Sequence, residues 1–225
     1  MTVIKHHKQR VGIFIDAQNL YHSARNLYSA KANFKQIMED AVAGRALIRA
    51  IAYVITTESG EESTFFDALV KLGIETKTKD LQIFFGGAKK ADWDVGLAVD
   101  AIKISPKLDT VIIVSGDGDY IPLVEYLQIS QGCQVEVIAF GKSSSSKLIE
   151  AADDFLDLDT DPKKYLMGYR GSKNQKTKVK PNRQAKRPNP SVNRYQNKKT
   201  ITKKPIQKTK RVLSPKKAQD GRMTI

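Results

Sequence analysis

The chain has 225 residues, with 38 Lys and Arg against 24 Asp and Glu, and a single cysteine. That length allows one good-sized domain and an appendage, and a lone Cys133 excludes a disulfide framework or a zinc cluster. The charge is split: 21 of the 38 bases but only one of the 24 acids, Asp220, lie in residues 162–225, so that stretch carries +20 and residues 1–161 carry −6. The start of the chain is basic and polar without the apolar core of a secretory signal, and no apolar run approaches the ~18 residues of a membrane span. The expectation is a cytoplasmic protein with an acidic domain over residues 9–161 and a basic extension over residues 162–225.

In chain order, residues 11–16 read as a buried strand ending in an acid. Helices follow over residues 19–29 and 33–43, then a strand over 46–56. Residues 63–72 alternate as a helix, with Phe66, Leu69 and Val70 on one face and Gly73 stopping it. Short strands are expected at 74–78 and 81–85, the second ending at Gly86 and Gly87. Residues 92–104 form a strong helix whose Val95, Val99 and Ile102 recur at helical spacing. Thr110-Val-Ile-Ile-Val-Ser is the clearest strand. A helix over 120–130, a strand over 134–140, a serine-started helix over 143–152 and an edge strand near Phe155 complete the series. Cys133 reads as a small buried hydrophobe.

Strands alternating with helices predict an α/β, three-layer sandwich with a central, mostly parallel sheet. The extension differs in kind. It has few large apolar residues and scattered prolines, so burial cannot offset its ordering entropy and disorder is expected. At +20 it suits RNA or DNA phosphates through counterion release, with only Tyr165, Tyr169 and Tyr195 for stacking.

Four acids sit where the chain turns out of a strand or into a helix: Asp16, Asp94, and the pair Asp117 and Asp119 in Ser-Gly-Asp-Gly-Asp. Taken singly, each reads as a cap or turn residue. In an open α/β sheet, however, ligands gather beyond the carboxyl ends of the strands. Asp16 and Asp117 reach that edge if their strands are neighbours, and Asp94 joins them if its helix begins there. Such a cluster is costly unless a cation neutralises it. Oxygen-only ligands favour Mg²⁺ or Mn²⁺ over zinc. Asp100 lies about 120° around the helix from Asp94, by the 3.6-residue repeat, and ranks below the other four. Asn19 and Ser115 either orient the metal-holding acids or touch the substrate phosphate, or are ordinary cap and turn residues. Gly116 and Gly118 let the chain turn tightly and a ligand approach. Trp93 offers base stacking or boundary packing. Lys89 and Lys90 face a phosphate or solvent. His6, His7 and His22 lack metal-ligand spacing.

The order Ile-Phe-Ile-Asp-Ala-Gln-Asn-Leu, Asp-Trp-Asp-Val-Gly-Leu-Ala-Val-Asp, Val-Ile-Ile-Val-Ser-Gly-Asp-Gly-Asp-Tyr, with Ser-Lys-Leu-Ile-Glu-Ala-Ala-Asp-Asp-Phe-Leu-Asp-Leu after it, resembles a NYN domain of the LabA-like branch in the PIN-like nuclease superfamily. The resemblance covers residues 9–159. It implies a metal-dependent ribonuclease site, with Asp16, Asn19, Asp94, Asp117 and Asp119 on the family's motif positions and Asp100 as the further acid. Gln18 departs from the pattern, and Glu39 has no anchored counterpart. The resulting expectation is a Mg²⁺- or Mn²⁺-dependent ribonuclease acting on RNA, with DNA and self-association left open. The alternative is a catalytically silent RNA-binding or regulatory scaffold. A haloacid-dehalogenase-type phosphatase is a weaker one, because that chemistry wants Asp-x-Asp and Gln18 stands at the third position.

Overall fold

The structure is a computed structural model and describes residues 3–56, 63–80, 82–83, 89–90, 92–169 and 171. Six strands form one sheet: β1 (Arg10–Asp16), β2 (Ala46–Thr56), β3 (Glu75–Asp80), β4 (Thr110–Val114), β5 (Gln134–Ala139) and β6 (Asp154–Asp157). Their order is β3-β2-β1-β4-β5-β6, and all five pairings are parallel. The central strands explain why: Val11, Ile13, Phe14 and Ile15 and all five residues of β4 are buried, as strands covered on both faces require. The α/β layering read from the sequence is therefore borne out.

Among the described residues, seven α-helices accompany the sheet: α1 (Ala17–Tyr28), α2 (Phe34–Val42), α3 (Ser63–Lys71), α4 (Asp94–Ile104), α5 (Ile121–Ile129), α6 (Ser146–Ala151) and α7 (Pro162–Tyr165). Successive strand residues point to opposite faces, which makes two cores. Ile13, Ile15, Ala52 and Ile112 pack with Leu20 of α1, Ile37 and Met38 of α2, and Leu69 of α3. Phe14, Ile51, Val111 and Ile113 pack with Leu97 of α4, Leu123 and Leu127 of α5, and Leu148 of α6.

The chain leaves β1 toward β2 and β3, then crosses to β4 on the other side of β1. The crevice between β1 and β4 is thus the sheet's topological switch point. Their register pairs Ile15 with Val114, so Asp16 and Ser115 emerge side by side. Among the described residues, no helix is long and apolar enough to cross a membrane.

Several local expectations are corrected. In α4 the buried residues are Leu97 and Ala101, whereas Val95, Val99 and Ile102 are exposed, Val95 at 74%. This helix is apolar on most sides, so spacing alone could not select the inward face. Val70 is likewise exposed while Leu69 is buried. Residues Gln82–Ile83 pair antiparallel with Lys89–Lys90 in a separate ladder, and Gly86 and Gly87 lie outside the described residues. The serines before α6 do not cap it: Ser145 makes no side-chain cap bond, and the hydroxyls of Ser143 and Ser144 both donate to the Phe140 carbonyl.

The folded segment also runs past residue 161. Leu166–Met167 pairs with Lys31–Ala32. Tyr165 is buried and its hydroxyl donates to Asp40 at 2.6 Å, while Tyr169 packs edge-on against Tyr28. These two tyrosines supply core surface rather than free stacking faces. Tyr195 and the rest of the extension expected to be disordered lie outside the described residues.

At the opposite end of the sheet from the crevice, Arg45 is locked in a charged knot. Its guanidinium donates to Glu136 on β5 at 2.5 and 3.0 Å and to the Ala41 and Val42 carbonyls. Glu136 also meets Lys5 at 3.1 Å. Both members of the central pair are buried. Glu136→Ala leaves Arg45 buried without its acid, so unfolding in urea should show a loss of about 3–5 kcal/mol.

Candidate metal centre

Asp16 ends β1 and caps α1: its Oδ1 accepts from the Asn19 backbone N–H at 2.9 Å. Asn19 in turn reaches across the crevice, where its Oδ1 accepts from the Gly116 N–H at 3.1 Å. Ser115 ties the two strands from the other side. Its hydroxyl donates to Asp16 Oδ2 at 3.4 Å and accepts from the Asp117 N–H at 3.2 Å. Asp117 then accepts from the Asp119 N–H at 3.0 Å, shaping the short 3₁₀ turn Gly118–Tyr120.

The glycines of this loop have a different use from the one expected. Neither Gly116 nor Gly118 has a positive φ. A Cβ on Gly116 would lie 3.0 Å from the Ser144 Cα. The close neighbour is thus the chain's own serine segment, which also donates from the Ser145 N–H to the Gly116 carbonyl at 2.9 Å.

Asp94 arrives from the first turn of α4. Tyr120, buried beneath it, donates its hydroxyl to Asp94 Oδ1 at 3.0 Å. This supporting residue escaped the sequence reading; the available signal was an aromatic directly after Asp-Gly-Asp, at the start of an apolar helix.

Carboxylate oxygens of Asp94, Asp117 and Asp119 all lie within 4.8 Å of one another. Asp16 lines the same cleft of about 380 Å³ as Asp94 and Asp117. Asp100 is held elsewhere: Lys77 lies 2.6 Å from its Oδ2 and the Tyr53 hydroxyl donates to the same oxygen at 2.9 Å. Burial raises its pKa, but those two partners outweigh burial and hold it below the ordinary aspartate value.

The electrostatics set Asp16 and Asp94, both raised, apart from the ion-paired Asp40, Asp100 and Asp109, all lowered. Burial pushes the Asp16 carboxyl up; the Asn19 N–H pulls against that, and the charges of Asp94 and Asp117 add to the rise. Asp94 is also raised, first by burial, with Tyr120 opposing and Asp117, Asp92 and Asp119 contributing. Burial and the charges of Asp16, Asp94 and Asp117 push the Tyr120 phenol far up, so it remains a donor. Asp40, Asp100, Asp109, Asp154 and Asp159 each have a Lys or Arg partner. Among the described residues, no such pair involves Asp16, Asp94, Asp117 or Asp119.

This donor set fits a hard divalent cation. It is all oxygen, its repulsion has no protein counter-charge among the described residues, and its spread is close to that around one ion. Two oxygens bound at 2.0–2.1 Å lie at most about 4.2 Å apart, which small side-chain rotations reach from here.

A family model for the NYN domain matches residues 10–159. The chain belongs to the NYN domain family. It is 26% identical to the low amplitude and bright protein LabA of Synechococcus elongatus over 164 residues, which cover 66% of this chain and 83% of LabA. The crystal structure of a protein of unknown function from Vibrio parahaemolyticus is 33% identical, with a TM-score of 0.66, over 73% of this chain and all of that one. The LabA-like NYN resemblance read from the motifs is thereby borne out.

The raised carboxyls predict how the metal-free protein responds to pH. An aspartate whose folded pKa is raised costs stability once ionised; the cost is full above the folded pKa, shrinks as pH falls through it, and is gone below the unfolded value. Asp16→Asn keeps a capping oxygen of similar strength and removes that cost. In chelator, the variant should melt above wild type at about pH 8 and together with it at about pH 3.

Proposed function

We propose that this NYN protein is a Mg²⁺- or Mn²⁺-dependent ribonuclease that hydrolyses RNA phosphodiester bonds. The observation that carries this reading is the convergence of Asp94, Asp117 and Asp119 within 4.8 Å at the cleft. Membership of a PIN-like nuclease family supports the class of reaction. Asp16, Asp94, Asp117 and Asp119 would hold the ion or ions. When bound, a divalent ion supplies Lewis-acid activation of water and stabilises charge developing on phosphate.

The chain's own residues do the rest. Ser115 and Asn19 fix Asp16 and the Gly116–Asp117 backbone relative to each other, so the acids cannot splay apart under repulsion. The Tyr120 hydroxyl occupies one oxygen of Asp94 and aims the other. Asn19 lines the cleft and spends its carbonyl oxygen on Gly116; its amide nitrogen has no protein acceptor among the described residues and is available to donate to a phosphate oxygen.

An acidic cleft repels a polyanion, so attraction has to come from elsewhere. The basic residues of the extension supply it through phosphate contacts and counterion release.

Purified protein should cut single-stranded or structured RNA with Mn²⁺ or Mg²⁺ and fall silent in chelator. Asp16→Asn and Asp117→Asn should lose cleavage, while Ser115→Ala, which only loosens the supporting bonds, should lose about 10- to 100-fold. Undiminished cleavage by both aspartate variants would sink the assignment. Removing residues 172–225 should weaken RNA binding and flatten its dependence on salt. An unchanged salt slope in a filter-binding titration would refute the role given to the extension.

A further inference from the structure

Helix α4 is apolar on the side where a surface helix is normally polar. Its inner side is filled: Leu97 and Ala101 are buried, and Gly96 packs so tightly that a Cβ there would lie 2.5 Å from Trp93 Cε3. Its outer side carries Val95, Val99 and Ile102, exposed at 74%, 40% and 36%, in a line at i, i+4 and i+7. Lys103 is the one charged residue among the exposed positions of this helix. Single exposed apolar residues are ordinary, but an unbroken line of them marks a surface that something covers.

Helix α2 shows the ordinary solution on the same domain. Its exposed residues are Lys35 and Glu39, an i, i+4 ion pair at 3.9 Å. Helix α5, which packs beside α4 in the same layer, repeats the apolar pattern. Its exposed positions are Pro122, Tyr126 and Ile129, with Glu125 as the only charge.

The ends of α4 select the occupant. Asp92 and Asp94 stand at its start, Lys103 and Lys107 at its finish. Charge reverses along the apolar line, so the line is its own complement when turned end over end. An isologous contact pairs i with j and j with i. A two-fold axis near Val99 therefore sets Val95 of each copy against Ile102 of the other. The same rotation brings the Lys103 and Lys107 end of each copy to the Asp92 end of the other. A partner of one sign has no such match: a polyanion drawn to Lys103 and Lys107 is repelled at Asp92 and Asp94.

We infer that the outer face of α4 is the two-fold interface of a homodimer, packed antiparallel on its own copy with α5 at the flank. The inference goes beyond the nuclease reading and does not depend on it. It brings the second copy close to the cleft, because the helix that makes the contact also carries Asp94 in its first turn. The face is modest. Helices of eleven and nine residues are about 14–16 Å long, and two of them about 8–10 Å apart offer less than the ~800 Å² per partner of a standard interface. The dimer is accordingly reversible and dissociates on dilution.

Sedimentation equilibrium of the full-length protein, from micromolar to near-millimolar concentration, should show monomer and dimer in exchange. Val99→Glu sets two like charges at the axis and should raise the dimer dissociation constant roughly 30-fold or more, with unchanged far-ultraviolet circular dichroism. Asp92→Lys and Lys103→Glu should each weaken association roughly 2- to 30-fold, and the two together should restore it. Val99→Cys should give a disulfide-linked dimer under mild oxidation, whereas the wild type, whose only cysteine is buried, should not. A protein that stays monomeric throughout, a dimer indifferent to Val99→Glu, or additive loss in the double charge swap would each overturn the proposal. In a monomer, a Val99→Cys thiol that resists maleimide would assign the face to another segment of this chain, and Val99-dependent flotation with phosphatidylcholine vesicles would assign it to lipid.

Discussion

Everything at the cleft depends on the pairing of β1 with β4. These strands are separated by nearly a hundred residues of chain, and their register sets Ile15 opposite Val114. One residue further on, Asp16 and Ser115 leave the sheet together. A slip of one residue would turn every side chain of β1 to the other face, burying the wrong apolar set and taking Asp16 away from the Asp117 loop. The apolar content of the two strands therefore guards the position of the acids, although no apolar residue does the chemistry.

The acids are held by neutral groups. Asn19, Ser115, Tyr120 and backbone N–H groups bind the carboxylates or the loops bearing them. A lysine in any of those positions would satisfy the charge within the protein and weaken the demand for an outside cation. Neutral donors fix geometry while leaving most of the negative charge in place. Asp100 shows the opposite solution: the same helix, six residues on, carries an acid neutralised by Lys77.

Much of this was legible in the sequence because it follows from short-range rules. Strands β1, β2 and β4 declared themselves as apolar runs, and the place of the acids beyond β1 and β4 follows from the general behaviour of open sheets. Other features depended on tertiary contacts that no local pattern carries. Val95, Val99 and Ile102 have better helical spacing than the pair that is buried, and only the position of the sheet decides between them. Gly116 looked like a concession to a ligand, yet its neighbour is Ser144. Tyr120 and Trp93 were visible as aromatics, but the hydroxyl under Asp94 and the ring over Gly96 exist only once β1, β2 and β4 are assembled. Tyr165 was assigned with the basic extension on composition, while its individual burial against α2 overrides the average.

The knot around Arg45 has a consequence for the order in which the chain can mature. Arg45 precedes Glu136 by 91 residues, which at 5–20 residues per second is about 5–20 s of synthesis. During that interval the α2–β2 corner has its guanidinium but lacks the acid on β5, and a desolvated cation without that partner is strongly unfavourable. Until β5 is made, the guanidinium has only the Ala41 and Val42 carbonyls of its own segment as partners. The charged network at the end of the sheet remote from the carboxylates is therefore completed only by a residue made after the Asp117 loop.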